Sequence, residues 1–227
     1  MDNTQAKIDQ AAKAVREAMD TICNEAIAAI ENMAPSITIK RTTERINIYT
    51  ELDELMSAPD LKPGDELIIS DIDSDKAHYQ VAHITDDHIY FVRKHLLRNE
   101  MPIMESDGVI SLFDWLDSGF KDRLPNEVYL RIEGSVTLPT EKQVHGVNHY
   151  GAHEDADVFH LDIFKPTLGR VRTMENEYGE VDWWWTSTPY ISDSTNFCAV
   201  NPAGTANSNT AGDADGVLPC FKLARRA

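Results

Sequence analysis

The last quarter of the chain opens with Asp-Trp-Trp-Trp-Thr-Ser-Thr-Pro at residues 182–189 and closes with Gly-Val-Leu-Pro-Cys-Phe-Lys-Leu at residues 216–223. Three consecutive tryptophans present too much apolar area to remain in water, so we expect them to anchor a core. Between Thr186 and Gly216 there is no Lys, Arg or Glu, and small polar residues dominate. We therefore expect this polar segment to be held outward as a contact surface.

Composition excludes several classes of function. The chain has 227 residues, 42% of them hydrophobic, which is enough for a full core. Its 38 acidic and 21 basic residues give a net charge of −17, which repels phosphate backbones and anionic lipids, so we expect no nucleic-acid partner. Apolar runs are too short for membrane insertion, and no classical signal peptide is evident at the start, which predicts synthesis in the cytoplasm.

Residues 1–35 form the first predicted unit, a helical oligomerisation arm. Over residues 4–33 the apolar residues recur at spacings of four and three, and Pro35 ends the pattern. The seam consists of Ile8, Ala12, Val15, Met19, Ile22, Ala26, Ala29 and Met33. We expect a coiled-coil-like homo-oligomer, with a parallel trimer favoured. Two alternatives are a helix folded back on the body and an arm that is disordered or docks a partner.

Residues 36–60 are predicted to be a connector between the arm and a body that spans 61–227. In the connector, Ile37, Ile39, Ile46 and Ile48 alternate with polar residues as in an edge strand, and residues 49–56 fit a short helix. The body begins with strands at 66–71, 79–84 and 88–93, separated by turn residues in the manner of a β-meander.

Helical patterns follow the meander. Leu112, Trp115, Leu116 and Phe120 predict one amphipathic helix over 110–123. Residues 128–132 fit either a short helix or a strand. Residues 138–146 predict a single helical turn that starts near Thr140 and stops at Gly146 in the left-handed conformation, whereas 197–200 and 219–221 fit strands.

The order of these pieces resembles a large bacterial and phage family of domains of unknown function with a C-type-lectin-like fold. That family is related to formylglycine-generating-enzyme-type domains and to the variable proteins of diversity-generating retroelements. The stretches that carry the resemblance are Lys-Pro-Gly-Asp at 62–65, Asp-Trp-Leu-Asp at 114–117, Leu-Pro-Thr-Glu at 138–141, Trp-Trp-Thr-Ser-Thr-Pro at 184–189 and the closing motif at 216–223. The resemblance covers about 60–227 and implies an α+β, C-type-lectin-like domain with short twisted antiparallel sheets and about two helices.

Two positions depart from the family pattern. An arginine of the Trp-Trp motif is replaced in the Thr186-Ser187 region, and Leu218 stands where the closing motif carries another arginine. Apolar groups can replace a buried ion-pair network at little cost in stability, so we expect the fold to be retained.

Eight residues of the polar segment are the candidate ligand contacts. Small hydroxyl and amide side chains with aromatic neighbours are typical of paratope loops, and the resemblance implies that diversified relatives vary the corresponding stretch. The candidates are Tyr190, Ser192, Asp193, Thr195, Asn196, Asn207, Asn209 and Thr210. The alternative is a long solvated loop closed by Asn-Pro-Ala-Gly at 201–204.

Histidines and carboxylates at short spacing form a second group, which could hold a divalent metal. Its members are His145, His149, His153, His160, Glu154, Asp155, Asp157 and Asp162, and Asp213 and Asp215 are candidates for calcium. The pattern around Tyr150-Gly151 is that of a loop rather than a helix, so we expect a polar surface loop with no metal and no cofactor.

Cys198 and Cys220 are the candidates for chemistry, since formylglycine-generating relatives use a cysteine pair for copper and oxygen chemistry. Both lie inside expected strands, where a buried thiol is ordinary, although they could pair if their strands are neighbours. We expect a non-enzymatic recognition or adhesion protein of a virion or cell surface that binds a host-surface protein or glycan. The alternatives are a purely structural virion protein and a formylglycine-generating-type oxidase.

Overall fold

The structure is a computed structural model that describes residues 45–98, 100–104, 111–152, 158–175 and 178–225. The predicted arm and the first part of the connector lie outside the described residues. The strands are β1 (Ile48–Tyr49), β2 (Glu66–Ile69), β3 (Ala77–Ile84), β4 (His88–Arg93), β5 (Trp184–Pro189), β6 (Asn196–Val200), β7 (Ala206–Thr210) and β8 (Cys220–Ala224). The α-helices are α1 (Leu52–Ser57), α2 (Leu112–Trp115), α3 (Asn126–Tyr129) and α4 (Glu141–His145), with 3-10 turns at Lys121–Arg123, Asp162–Phe164 and Thr167–Arg170.

A larger sheet has the strand order β1-β2-β3-β4-β8. The predicted meander is confirmed, because β2, β3 and β4 pair as consecutive antiparallel neighbours. The last strand, β8, returns from the end of the chain to pair antiparallel with β4. Strand β2 stops at Ile69, earlier than predicted, because Asp71 turns into the protein interior instead of continuing the sheet.

Asp71 forms a buried ion pair with Arg93 at the end of β4. The Arg93 Nε donates to Asp71 Oδ2 over 2.8 Å, and both side chains are 0% exposed. The Tyr79 hydroxyl donates to the same carboxylate oxygen over 2.7 Å, and Arg93 Nη1 donates to the carbonyls of His95 and Leu96. Because the buried charges are paired and hydrogen-bonded, the network holds the meander in one arrangement.

Part of the predicted connector packs on this sheet. β1 pairs in parallel with β2, and α1 buries Leu52 and Leu55 in the main core. Only Ile48–Tyr49 of the expected edge strand is a strand among the described residues. The chain from Ile46 to the C-terminus forms one compact unit.

The predicted helix over 110–123 is one helical run with three pitches. An α-helical turn at Leu112–Trp115 continues as a π-helical turn at Leu116–Phe120 and a 3-10 turn at Lys121–Arg123. The predicted apolar face is confirmed, because Leu112, Leu116 and Phe120 are buried in the main core. The open question at 128–132 is decided in favour of the short helix α3, after which Ile132 bridges to Leu223 of β8.

The tryptophans connect a smaller sheet, β5-β6-β7, to two separate apolar clusters. Trp185 belongs to the main core and Trp184 to a second cluster with Phe164 and Leu218, and both tryptophans are 0% exposed. Successive residues of a strand point to opposite faces, so adjacent tryptophans fix both faces of β5. The described fold is thus mixed α/β with two sheets and few, short helices, which is compatible with the expected α+β class.

Candidate functional site

The polar segment forms the β6–β7 hairpin and the turn that precedes it. β6 is buried from Phe197 to Val200, whereas every residue of β7 retains some exposure. β7 is the edge strand of the smaller sheet, because within the described residues it pairs with β6 on one side only. The buried strand β6 therefore supports the solvent-facing edge strand β7. This agrees with the expectation that the buried tryptophans hold the polar segment outward.

The structure places the eight candidate contacts in two groups. In the pairing register, Asn196 lies opposite Thr210, whereas Asn207 and Asn209 lie opposite Ala199 and Phe197. Directly paired residues share a face, so Asn207 and Asn209 lie on the main-core face of β7 and Thr210 lies on the other. The first group, at one end of the smaller sheet, comprises Tyr190, Ser192, Asp193, Thr195, Asn196 and Thr210, and we call it the display patch. Its members are exposed, except for Tyr190 and Asn196, which are half-buried.

A side-chain hydrogen bond shapes the turn inside the display patch. Asp193 Oδ1 accepts from the Thr195 amide over 2.9 Å and from the Thr195 hydroxyl over 2.7 Å. These hydrogen bonds lower the pKa of the Asp193 carboxyl, because they stabilise its charged form. Asp193 and Thr195 thus build the turn, which holds Ser192 exposed.

Two residues that sequence reasoning missed border the display patch. The rings of Tyr150 and Tyr190 lie edge to face with their centroids 6.0 Å apart, and the amide of Ile191 donates to the Tyr150 carbonyl over 3.0 Å. Ile191 is 66% exposed. Tyr150 lies 40 positions before Tyr190 in the chain, and no local sequence pattern indicates that the two rings meet.

A buried carboxylate brings Tyr150 to this position. Glu141 is 1% exposed, and its carboxylate accepts from the amides of Tyr150 and Gly151 and from the thiol of Cys198. Its own amide donates to Thr188 Oγ1 over 2.8 Å. A Cβ at Gly151 would lie 2.2 Å from the Thr188 methyl carbon, so only glycine allows this close approach.

Helix α4 holds Glu141 in place and fits its prediction. Thr140 caps the helix, accepting from the Gln143 amide, while the Gln143 side chain accepts from the Thr140 amide. The helix ends at Gly146 with φ of +79°, the expected left-handed stop. The start, the stop and the Leu-Pro-Thr-Glu motif could all be read from the sequence because a capping box is a local signal.

Carboxylate side chains lie beside the second group of candidate contacts, Asn207 and Asn209. Asn209 Nδ2 donates to Asp215 Oδ2 over 2.9 Å. Burial, followed by the charges of Asp182 and Asp213, raises the pKa of Asp215, and burial together with Asp182 raises the pKa of Glu100. Among the described residues no group of three or more His, Cys, Asp or Glu side chains is arranged to hold a metal ion.

The histidine group is divided by the fold. His153, Glu154, Asp155 and Asp157 lie outside the described residues. His145 and His149 are neighbours with ring centroids 5.6 Å apart. Asp162 instead contacts His83, with Nδ1 and Oδ2 2.6 Å apart.

His145 also contacts Arg170. The Arg170 Nη1 lies 3.2 Å from His145 Nδ1. Burial, and then the positive charge of Arg170, lowers the pKa of His145 to about 4. His160 lies apart from this contact, with its Nε2 3.0 Å from the Val144 carbonyl oxygen.

The two cysteines of the body lie in different sheets, and within the described part of the chain neither forms a disulfide. The Cys198 thiol donates to Glu141, and burial raises the pKa of Cys220 to about 12. The two positions at which the resemblance implies arginine hold uncharged side chains. Thr186 donates to the Cys198 carbonyl over 2.8 Å, and Leu218 is fully buried.

The described body is therefore a mixed α/β domain whose smaller sheet carries a polar edge. Residues 140–225 match the model of a family described as a domain of unknown function (DUF6273). The matched range runs from the cap of α4 through β8 and includes the whole smaller sheet, although it is less than half of the chain. No curated protein and no solved structure matches the chain. No helix of the described residues is long and apolar enough to cross a membrane.

Proposed function

We propose that this chain is a non-enzymatic recognition module whose display patch binds a protein or a glycan on a host cell surface. One observation carries the proposal. Trp184 and Trp185 are 0% exposed, while Ser192, Thr195 and Thr210, which follow within the same sheet and its turn, are exposed. Burying the large side chains fixes the backbone, so the polar residues are presented without a large ordering cost on binding.

The chemistry of the display patch suits recognition. Tyr190 supplies a ring held against Tyr150, and the hydroxyl and amide groups around it donate and accept hydrogen bonds. These side chains are short, so they lose little rotamer entropy when a ligand orders them. Asn207 and Asn209 form a second polar strip on the other face of β7, beside the patch.

We place this module on a phage virion, as a fibre, tail-tip or capsid-decorating protein, or on a cell surface. The support is the resemblance to bacterial and phage domains with a C-type-lectin-like fold. Two separate short sheets and a last strand that returns to β4 are compatible with that fold. In this proposal residues 4–33 join the chains as a homo-oligomer, with a trimer favoured, so that several weak contacts act together. Genetic diversification by a retroelement would act on the polar segment.

Exposed apolar side chains favour a second candidate, a structural virion protein that packs against its neighbours. Leu168 is 83% exposed and Ile191 is 66% exposed, and packing against a neighbouring protein would remove this apolar area from water. An oxidase of the formylglycine-generating type is the third candidate. It needs two cooperating cysteines, whereas Cys198 and Cys220 lie in different sheets.

The test is binding of the labelled full chain to a panel of intact bacterial cells and to a printed glycan array. A Tyr190→Ala, Asn196→Ala, Thr210→Ala variant should lose binding by about tenfold or more, because central contacts of this kind carry most of the affinity. The control is Ser70→Ala with Asn126→Ala, two exposed residues of other parts of the body, which should bind like the parent chain.

Two results would contradict recognition by the display patch. One is equal binding by the patch variant and the control. The other is an unmodified chain that binds no cell and no glycan. If Leu168→Ser or Ile191→Ser instead prevents assembly of particles while binding is unaffected, the structural role is the better account.

A further inference from the structure

A cavity outside the display patch has the chemistry of an anion site. Its volume is about 290 Å³, and it lies between helix α4, the loop at Tyr150, the 3-10 turn at Thr167–Arg170 and the backbone at 204–206. The side chains of His145, His149 and Arg170 line it. This size suits a small ligand or one charged group of a larger one.

The contact between Arg170 and His145 determines which ring nitrogen carries the proton. A guanidinium can only donate, so His145 Nδ1, 3.2 Å from Arg170 Nη1, is the acceptor. The proton of the neutral ring is consequently on Nε2. His145 therefore presents an N–H donor rather than an acceptor on its other side.

Two residues of the cavity lining, His145 and Arg170, each carry a buried N–H donor that is unsatisfied. Within the described part of the chain, neither His145 Nε2 nor Arg170 Nε has a hydrogen-bond partner, although the Arg170 Nη2 donates to the Thr167 hydroxyl over 2.9 Å. Buried polar groups are nearly always paired, so each such exception needs an explanation. Both groups are N–H donors, and an acceptor would satisfy them.

The positive charge of Arg170 also favours an anionic acceptor in the cavity. No ion pair joins Arg170 to a carboxylate among the described residues, so its positive charge is not locally neutralised by a salt bridge. A metal cation would be repelled by Arg170 and would find no lone pair on the protonated Nε2. The net charge of −17 for the whole chain opposes the approach of an anion, so the attraction must come from the local charge of Arg170 and from the N–H donors beside it.

We propose that the cavity between His145 and Arg170 binds an oxyanion, either a carboxylate or a phosphate or sulfate group. Arg170 supplies the positive charge, and its Nε is a charge-assisted N–H donor. His145 Nε2 is a neutral N–H donor. The site does not depend on the display patch. Tyr150 lines the cavity and contacts Tyr190. An acidic ligand that is large enough to extend beyond the cavity would therefore reach the display patch across the Tyr150 ring.

The experiment is calorimetric titration of the full chain with four probes at constant ionic strength: inorganic phosphate, sulfate, acetate and galacturonate. At least one should bind in the millimolar range. Arg170→Gln and, separately, His145→Phe should each weaken that binding by about tenfold or more, since each removes a donor to a charged group. Thermal melting of each variant establishes that it is folded.

Arg123→Gln is the matched control, since it removes the same charge from an exposed position away from the cavity. Binding of only phosphate and sulfate assigns the site to tetrahedral anions, and binding of only acetate and galacturonate assigns it to carboxylates. The Tyr190→Ala, Asn196→Ala, Thr210→Ala variant should bind the anion normally, so failure of the patch and failure of the cavity are separate results. The proposal is wrong if no probe binds, or if Arg123→Gln weakens binding as much as Arg170→Gln.

Discussion

The larger sheet and the smaller sheet differ in how much of each strand is buried. In the larger sheet, the central strands β3 and β4 carry fully buried residues along their length, and Asp71 and Arg93 form an interior ion pair beside them. In the smaller sheet, β5 and β6 are mostly buried, but all five residues of β7 are partly or fully exposed. The fold therefore concentrates its buried contacts in the larger sheet and in two strands of the smaller one, which leaves β7 as an edge that can vary in sequence.

The largest expected effect separates the anchor from the edge. Trp185→Ala should lower the free energy of unfolding by about 3–5 kcal/mol, because it opens a cavity in the main core and removes the donor to the Met101 carbonyl. Ser208→Ala on β7 should change it by less than about 0.5 kcal/mol. Urea unfolding measures both, and similar losses for the two variants would contradict the comparison.

A second change tests the interior of the larger sheet. Asp71→Asn should cost about 3 kcal/mol, because it leaves the Arg93 guanidinium buried beside a neutral group. Asp71→Leu combined with Arg93→Met should recover much of the loss, since it removes both charges together. If the double variant is less stable than Asp71→Asn, the Asp71–Arg93 pair contributes more to the free energy of unfolding than the neutralisation of two buried charges.

A third change tests how Glu141 of helix α4 holds the loop at Tyr150. Glu141→Gln should cost about 2 kcal/mol, because an amide nitrogen would face the Tyr150 and Gly151 amides that now donate to the carboxylate. The Tyr150 and Tyr190 ring resonances in an NMR spectrum should shift together. Loss of stability with both ring signals unchanged would show that Glu141 does not position Tyr150.

The smallest effect concerns the carboxylates behind β7. Their raised pKa values mean that Asp215 and Glu100 bind protons more readily in the folded than in the unfolded chain. Their contribution to stability therefore increases as pH falls through the raised folded pKa values toward the lower unfolded values. Asp215→Asn should stabilise the chain at pH 7 by a few tenths of a kcal/mol, about the size of an ordinary surface effect.

The pH dependence of unfolding checks that sign. The stability gained by the parent chain on mild acidification should be smaller in Asp215→Asn, because one of the carboxylates that takes up a proton is gone. Asp86→Asn, an exposed carboxylate in the β3–β4 turn, is the control. A larger gain in the Asp215→Asn variant would contradict the interpretation.

Signals confined to a few neighbouring residues were predictable from the sequence. The meander, the capped turn of α4 with its stop at Gly146, and the buried face of Leu112, Leu116 and Phe120 depend on local spacing and turn chemistry. The pitch of the run over 112–123 was not predictable, because tertiary packing sets how tightly a short helix winds. The division of the eight candidate contacts needed the pairing register of β6 and β7.

The residues alone indicate that a tryptophan-rich strand is buried beside a segment without long charged side chains, because apolar area and charge are properties of each residue. Tertiary packing brings Glu141 to the loop at Tyr150 and the Tyr150 ring to Tyr190. It also places His145 and Arg170 in the lining of one cavity. These contacts join residues far apart in the chain. Their partners are selected by how the two sheets pack, which no local pattern encodes.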